Sequence, residues 1–195
     1  MQITKIEILG DGEAVEVTSA GLATFASDNK LDFTNVPNLE AYIAKENGST
    51  IELTKKNIIP AGTGVLLRAK NGTTAFGVPV TTADADNVSG NLFVRGTGTA
   101  VATGSGPYNY VLGKHNDVVG FYHAGGMTVA TDKAYIQTSI AAARLDLSFE
   151  EGEITGISEV MSQKVDGQFY DLQGRKVTTP TKGLYIVNGK KIVVK

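Results

Sequence analysis

The chain has 195 residues, a formal net charge of −2 and no cysteine, which excludes disulfide bonds, thiolate nucleophiles and thiolate zinc sites. Its 23 glycines make up about 12% of the residues, against a usual share near 7%, and they show no Gly-X-Y period. Such glycine usage favours many tight turns and therefore an all-β fold.

Neither a membrane span nor a signal peptide is expected from the sequence. No segment approaches ~18 consecutive apolar residues, and residues 1–5 lack the apolar region that begins a signal peptide. We therefore expect either a protein that stays in the cytoplasm or a mature or excised fragment.

The charge is unevenly distributed along the chain. From Lys164 onward there are seven Lys or Arg and two Asp, a local net charge of 7 − 2 = +5. A basic tail can bind nucleic acid or a membrane. Lysines that block edge-to-edge aggregation of strands explain it better, because the tail lacks the aromatic platform of single-strand binders. We expect no nucleic-acid partner.

Strand patterns follow one another through the first 150 residues. Short apolar or alternating runs are separated by Gly, Asn and Asp turns. This pattern predicts a β-sandwich or a partly open barrel. The predicted strands are 3–9, 14–17, 21–26, 31–34, 62–70, 73–78, 92–94, 108–112, 118–123, 134–136 and 145–149.

Residues 39–53 carry both a helical spacing and a hairpin signal at Asn47-Gly48. The hairpin is favoured, because its register gathers four apolar residues on one face, as a half-buried hairpin requires. That register sets Ala44 opposite Ile51 and Tyr42 opposite Leu53.

A second hairpin is predicted at Gly125-Gly126. It would set Ala124 opposite Met127 and Tyr122 opposite Val129, with His123 on the other face opposite Thr128. From these patterns the predicted core residues are Phe25, Tyr42, Ile51, Leu53, Val65, Leu67, Tyr122, Val129, Tyr135 and Ile136.

The acidic stretch Glu150–Glu153 is the predicted boundary between a β-rich module, residues 1–153, and a small C-terminal domain, residues 154–195. In this tail, Asn188-Gly189 fits a type I′ hairpin turn. The resulting register sets Val187 opposite Lys190, Tyr185 opposite Ile192 and Leu184 opposite Val193. With a further hairpin at residues 171–174, the tail is predicted to form a β meander of about four strands. So few strands bury too little apolar surface to stand alone, so the meander should pack on the preceding module or on a partner.

The sequence offers little catalytic or metal-binding chemistry. His115 and His123 have no evident third ligand and lie near no nucleophile motif. Asp84-x-Asp86 resembles the start of a calcium loop, but it lacks the later ligands. We predict no catalytic residue, metal site or cofactor. The aromatic residues of this region are favoured as core, and Tyr108 and Tyr110 are the candidate glycan contacts.

The tail segments YDLQGRKV and PTKGLYIVNGKKIVVK resemble the C-terminal sorting domain of secreted and cell-surface proteins of Bacteroidetes, which the type IX secretion system reads. Upstream, SAGLATFAS, VPNLEAYIA, IPAGTGVLLRA, GFYHA and KAYI resemble a β-rich module of undefined function found before such tails. The matching tail residues are Tyr170, Asp171, Gly174, Arg175, Val177, Pro180, Gly183, Tyr185, Gly189, Lys190 and Lys195.

The resemblance implies a non-catalytic structural or interaction module of an exported cell-surface protein, with the tail as a sorting or anchoring signal. It implies a secreted or cell-surface location, with no signal peptide in these 195 residues. The expected partners are secretion or anchoring machinery or glycans, and the isolated fragment is expected to be a monomer. A carbohydrate-binding module that uses surface aromatics is the alternative, followed by a glycan-acting hydrolase.

Overall fold

The computed structural model describes residues 12–116 and 118–149, together with four short strands of the tail. All regular elements among these residues are β-strands, which confirms the predicted all-β class. The first sixteen strands are β1 (Gly12–Glu16), β2 (Leu22–Phe25), β3 (Leu31–Asp32), β4 (Leu39–Asn47), β5 (Thr50–Lys56), β6 (Ile58–Ile59), β7 (Val65–Ala69), β8 (Ala75–Pro79), β9 (Phe93–Arg95), β10 (Thr99–Ala102), β11 (Tyr108–His115), β12 (Val118–His123), β13 (Gly125–Val129), β14 (Ala134–Thr138), β15 (Arg144–Leu145) and β16 (Leu147–Phe149).

Two five-stranded sheets form a sandwich, and none of the described sheets closes into a barrel. Sheet 1 has the order β16-β5-β4-β7-β2, and sheet 2 has the order β15-β12-β11-β14-β9. The chain passes from one sheet to the other at Asp146, because β15 pairs with β12 while β16 runs parallel to β5. Three two-stranded ribbons, β1-β8, β3-β6 and β10-β13, accompany these sheets.

Sheet 1 is apolar on both faces, which explains the nearly continuous apolar run in β4. Successive side chains of a strand point to opposite faces. Ala41 and Ile43 therefore pack with the β1-β8 and β3-β6 strands in one core. Tyr42 and Ala44 pack against sheet 2 in a second core, beside residues such as Phe121.

A third, smaller core lies on the outer face of sheet 2. There Val101 and Val129 of the β10-β13 ribbon pack against Val111 and Tyr135. The ribbon therefore covers one part of this face, around β11 and β14.

Eight of the ten predicted core residues are buried. The exceptions are Tyr122 and Tyr135, which are both partly exposed. Alternation along β12 and β14 turns both rings to the outer face of sheet 2, away from Phe121 and Ile136.

The hairpin between β4 and β5 is present, but its loop is Gly48-Ser49 and Asn47 pairs with Thr50. The predicted register is therefore wrong by two residues: Ala44 lies opposite Leu53. Gly48 has φ +63°, as expected for the first central residue of a type II′ turn. A two-residue shift preserves which face each side chain occupies, so the four predicted apolar residues still share one core.

The predicted Gly125-Gly126 hairpin is wrong, because β13 pairs with β10 and Val101 lies opposite Met127. At Tyr122 both edges of β12 are already occupied, one by β11 and the other by β15. No edge is left there for β13. His123 consequently lies opposite Tyr110 and not opposite Thr128.

The tail contains β17 (Phe169–Tyr170), β18 (Lys176–Val177), β19 (Gly183–Val187) and β20 (Lys190–Val194), in the sheet order β18-β17-β19-β20. All four strands pair antiparallel, and β17 lies between β18 and β19. The predicted meander is therefore wrong, because β19 pairs with β17 and not with β18. The predicted register of the last hairpin is confirmed: Tyr185 lies opposite Ile192 and Val187 opposite Lys190.

The chain divides into two compact units, Met1–Gly156 and Ile157–Lys195. The predicted boundary at Glu153 and the predicted strand 3–9 both lie outside the described residues.

Candidate functional site

Tyr110, predicted as a glycan contact, is fully buried between the two sheets. Its hydroxyl lies 2.9 Å from the carbonyl oxygen of Ile140 and accepts the Ala142 N–H at 2.8 Å. His123 Nε2 also lies 2.8 Å from this hydroxyl. The prediction for Tyr110 is therefore wrong: its ring is core, and its hydroxyl fixes the segment before β15.

Tyr108, the second predicted glycan contact, packs at the edge of the same core. Its ring stacks on the ring of His123, with centroids 6.0 Å apart and planes 7° apart. One face of Tyr108 is thus occupied within the protein, although the residue is partly exposed.

A Ser, a His and a Glu lie at this end of the sandwich, but their hydrogen bonds differ from those of a catalytic triad. The Ser139 hydroxyl donates to the Glu46 carboxylate at 3.0 Å. His123 instead contacts Tyr110. A triad requires the histidine to lie between the hydroxyl and the carboxylate, so these contacts serve structure.

The second histidine lies on the opposite face of sheet 2. His115 approaches the ring of Tyr122, with centroids 5.8 Å apart, whereas His123 contacts Tyr108 and Tyr110. The two imidazoles therefore cannot share a metal ion. Within the described residues, no group of three or more His, Cys, Asp or Glu side chains could hold a metal.

The Asp84-x-Asp86 motif also has a structural role. Asp86 accepts the backbone N–H of Asn57 at 2.7 Å, and its own N–H donates to the carbonyl oxygen of Ile58. It thereby fixes the chain at the start of β6.

An ionic cluster surrounds Glu40 of β4. Lys55 and Lys70 lie 2.9 and 3.0 Å from its Oε1, and the Tyr42 hydroxyl donates to Oε2 at 2.8 Å. Burial alone would raise the pKa of Glu40, but these hydrogen bonds outweigh it and lower the pKa from 4.5 to about 2. Burial, and then the hydrogen bond to Glu40, raises the pKa of Tyr42.

An open groove of about 480 Å³ runs between β2 and the β11-β13 region. Its lining is mostly apolar and includes Ala23, Val111 and Val129, with Glu16 and Lys133 among the polar residues. Met127, which is 53% exposed, lies at this groove.

Tyr122 of β12 forms an aromatic platform that the sequence did not reveal. Gly113 and Gly120 are directly opposite each other on β11 and β12. A Cβ built on Gly120 would lie 3.6 Å from the Tyr122 ring, and one on Gly113 would lie 4.0 Å from it. The ring therefore lies along the strand over this glycine pair, and its hydroxyl donates to the Val118 carbonyl oxygen at 3.1 Å.

Polar side chains surround this ring. Arg144 lies opposite Tyr122 on β15, and its aliphatic stem passes 3.1 Å from a Cβ built on Gly120. Its guanidinium Nη2 lies 3.8 Å from Asp146 Oδ1. The imidazole of His115 also approaches this ring, with centroids 5.8 Å apart. The interpretation of Tyr122 as core missed this arrangement because it depended on the wrong partner for β12.

The sorting-like residues of the tail are only partly described. Tyr170 lies in β17, Val177 in β18, Gly183 and Tyr185 in β19, and Lys190 in β20. The others lie outside the described residues: Asp171, Gly174, Arg175, Pro180, Gly189 and Lys195.

Comparisons with protein-family models, with curated proteins and with solved structures find no match to this chain. In the part of the chain that the structure describes, no helix is long and apolar enough to cross a membrane.

Proposed function

We propose that the chain is a non-catalytic module of an exported cell-surface protein and that its tail is a sorting or anchoring signal. The observation that carries this proposal is the folding of the tail as a compact unit of its own, residues Ile157–Lys195. A signal read by other machinery benefits from being a unit that is separable from its cargo.

The polar side chains of the sandwich support a structural role. Glu46, Tyr110 and Glu40 each form hydrogen bonds or ion pairs that join neighbouring segments. Among the described residues, no buried side-chain nitrogen or oxygen lacks a partner. Catalytic sites usually contain polar groups that are free to bind a substrate. The three groups named here already form hydrogen bonds within the protein.

The chemistry of the tail motif fits recognition by a partner. Arg175 offers a planar fork of donors that binds carboxylates in a way that lysine cannot reproduce. Lys190 and the other tail lysines add positive charge, which steers an acidic partner. The expected partner is the secretion or anchoring machinery of the type IX system.

A gain-of-function experiment tests the proposal. Residues 154–195 are fused behind a reporter that carries an inner-membrane export signal, in a host with type IX machinery. We expect the reporter at the cell surface, measured as its removal by protease added to intact cells.

Two matched controls accompany this fusion. The reporter without residues 154–195 should remain in the periplasm, and the fusion with Arg175→Lys should reach the surface less efficiently at an unchanged expression level. Equal surface display with and without the tail would refute the sorting role.

A further inference from the structure

We propose that the outer face of sheet 2 carries a binding site for neutral pyranose sugars, centred on the ring of Tyr122. The site, named here the Tyr122 platform, consists of His115, Gly120, Tyr122, Arg144 and Asp146. This inference goes beyond the proposed export role and does not depend on the tail.

The ring of Tyr122 is held in place before any ligand arrives. Gly120 leaves room beneath it, with only 3.6 Å between a built Cβ and the ring. The hydrogen bond from the Tyr122 hydroxyl to the Val118 carbonyl oxygen fixes the far end of the side chain. A rigid ring loses little conformational entropy on binding, which favours affinity.

The platform lies on the part of the sheet that the β10-β13 ribbon leaves uncovered. The ribbon packs on Val111, which is the cross-strand partner of Tyr122, and on Tyr135. The platform therefore adjoins the ribbon and extends from it towards Gly120 and Arg144. Tyr122 remains partly exposed, and the side chains of Arg144 and Asp146 are 39% and 75% exposed. The Cδ2 and Cε2 atoms of the ring lie nearest the glycine pair, 4.0 and 3.6 Å from the Cβ positions built on Gly113 and Gly120.

A flat aromatic face suits the apolar side of a pyranose ring. Its axial C–H groups carry a partial positive charge, and the face of an aromatic ring carries a partial negative charge. Tyrosine adds little entropic cost and a large contact area. The rim of the platform then has to bind hydroxyl groups.

The rim supplies both kinds of hydrogen-bonding group. Arg144 provides only donors and Asp146 only acceptors, while His115 can provide either. The separation of 3.8 Å between Arg144 and Asp146 is too long for a hydrogen bond. Within the described residues, Asp146 and His115 show no side-chain hydrogen bond, so these groups remain available to vicinal hydroxyls.

The charge of the rim selects the ligand class. The rim places one guanidinium beside one carboxylate, Arg144 and Asp146, and these two charges cancel. A phosphate or a uronic acid would meet the Asp146 carboxylate without a surplus of positive charge. A polyhydroxylated neutral ligand can use both groups at once, so the platform fits a neutral glycan.

The test uses the full chain of 195 residues and defined polysaccharides. The probes are cellulose oligosaccharides, xylan, mannan and starch as neutral glycans, with polygalacturonate as the acidic counterpart. Binding is measured on an array that carries these glycans, and affinity is then determined by isothermal titration calorimetry. We expect binding to at least one neutral glycan and none to polygalacturonate.

Matched variants locate the site. Tyr122→Ala should weaken binding by about tenfold or more, as loss of one stacking ring does elsewhere. Tyr122→Phe keeps the ring and removes only the hydroxyl that bonds to the Val118 carbonyl oxygen, so it should weaken binding much less than Tyr122→Ala does. Tyr108→Ala removes a ring of the other face and should leave binding unchanged.

Variants of the polar rim test the site independently, in case Tyr122→Ala prevents folding. Asp146→Asn and Arg144→Gln should each reduce affinity while the circular dichroism spectrum stays unchanged. Binding that survives Tyr122→Ala, Arg144→Gln and Asp146→Asn would overturn the proposal, as would binding to none of the neutral glycans or to polygalacturonate alone.

Discussion

The carboxylate of Glu46, at the end of β4 in sheet 1, accepts a hydrogen bond from the Thr138 hydroxyl at the end of β14 in sheet 2, with 2.5 Å between the oxygens. The backbone N–H of Ser139 donates to the same carboxylate at 2.8 Å. The Thr138 hydrogen bond, followed by that of Ser139, lowers the pKa of Glu46. This contact joins the two sheets at one end of the sandwich.

Thr138→Val tests the importance of this contact. Valine has nearly the same shape but cannot donate, and a lost hydrogen bond to a charged group costs about 1.5–3 kcal/mol. We expect a loss of about 1–2 kcal/mol in the free energy of unfolding at pH 7, measured by urea denaturation. Thr138→Ser keeps the hydroxyl and should retain most of the stability. Equal losses in both variants would mean that packing, and not the hydrogen bond, dominates.

The Glu40 cluster predicts a specific acid sensitivity. Because the pKa of Glu40 falls from 4.5 in the unfolded chain to about 2 in the fold, its contribution is fully present above about pH 4.5. The contribution is lost progressively as the pH falls towards 2. We expect Glu40→Gln to cost about 1–2 kcal/mol at pH 7, after allowance for solvent screening.

This cost should nearly vanish at pH 2, where wild type and Glu40→Gln should unfold at similar urea concentrations. Asp84→Asn is the control, since Asp84 is exposed and lies outside the Glu40 cluster. A Glu40→Gln deficit that does not change between pH 7 and pH 2 would contradict the ionic origin of this stabilisation.

A substitution of Leu67 tests the core that sheet 1 forms with the β1-β8 and β3-β6 ribbons. The Leu67 side chain is fully buried with Val65 and Phe25. Leu67→Ala should reduce the free energy of unfolding by about 2–5 kcal/mol, through lost burial and the cavity left behind. Met127→Ala, at an exposed position, should change it by less than about 0.5 kcal/mol. A Leu67→Ala cost as small as that of Met127→Ala would show that this core is wrongly assigned.

Substitutions in the β4-β5 turn distinguish the observed Gly48-Ser49 loop from the predicted Asn47-Gly48 loop. In the structure Gly48 has a positive φ, whereas Asn47 occupies a paired strand position. Gly48→Val should therefore cost about 1–2 kcal/mol, while Asn47→Thr should be tolerated within about 0.5 kcal/mol because threonine suits a strand. The Asn-Gly loop predicted from the sequence would require a positive φ at residue 47. A large cost for Asn47→Thr in thermal unfolding would therefore favour that loop.

This turn also shows which parts of the fold the sequence could predict. The apolar alternation of β4 and β5 determines which side chains share a face, and a register shift of two residues leaves that unchanged. It was therefore predictable that Tyr42 and Ala44 pack in the same core. The register was not, because Asn-Gly and Gly-Ser loops are both compatible with the local sequence.

Long-range strand pairing limited the prediction of the candidate site. The Gly125-Gly126 signal predicts a local hairpin, but β13 pairs with β10, more than twenty residues earlier in the chain. The two glycines beneath Tyr122 come from different strands, so they become one surface only through the β11-β12 register. No local pattern marks such a pair.

The location of the full chain in the cell tests most directly the proposal that this is an exported surface module with its tail as the sorting signal. The 195-residue chain and a version that ends at Gly156, both behind the same inner-membrane export signal, are expressed in a host with type IX machinery. The measured quantity is the fraction of each protein that protease removes from intact cells. We predict that most of the full chain is removed and that the truncated chain stays protected in the periplasm. Equal removal of the two proteins, or protection of both, would contradict the account.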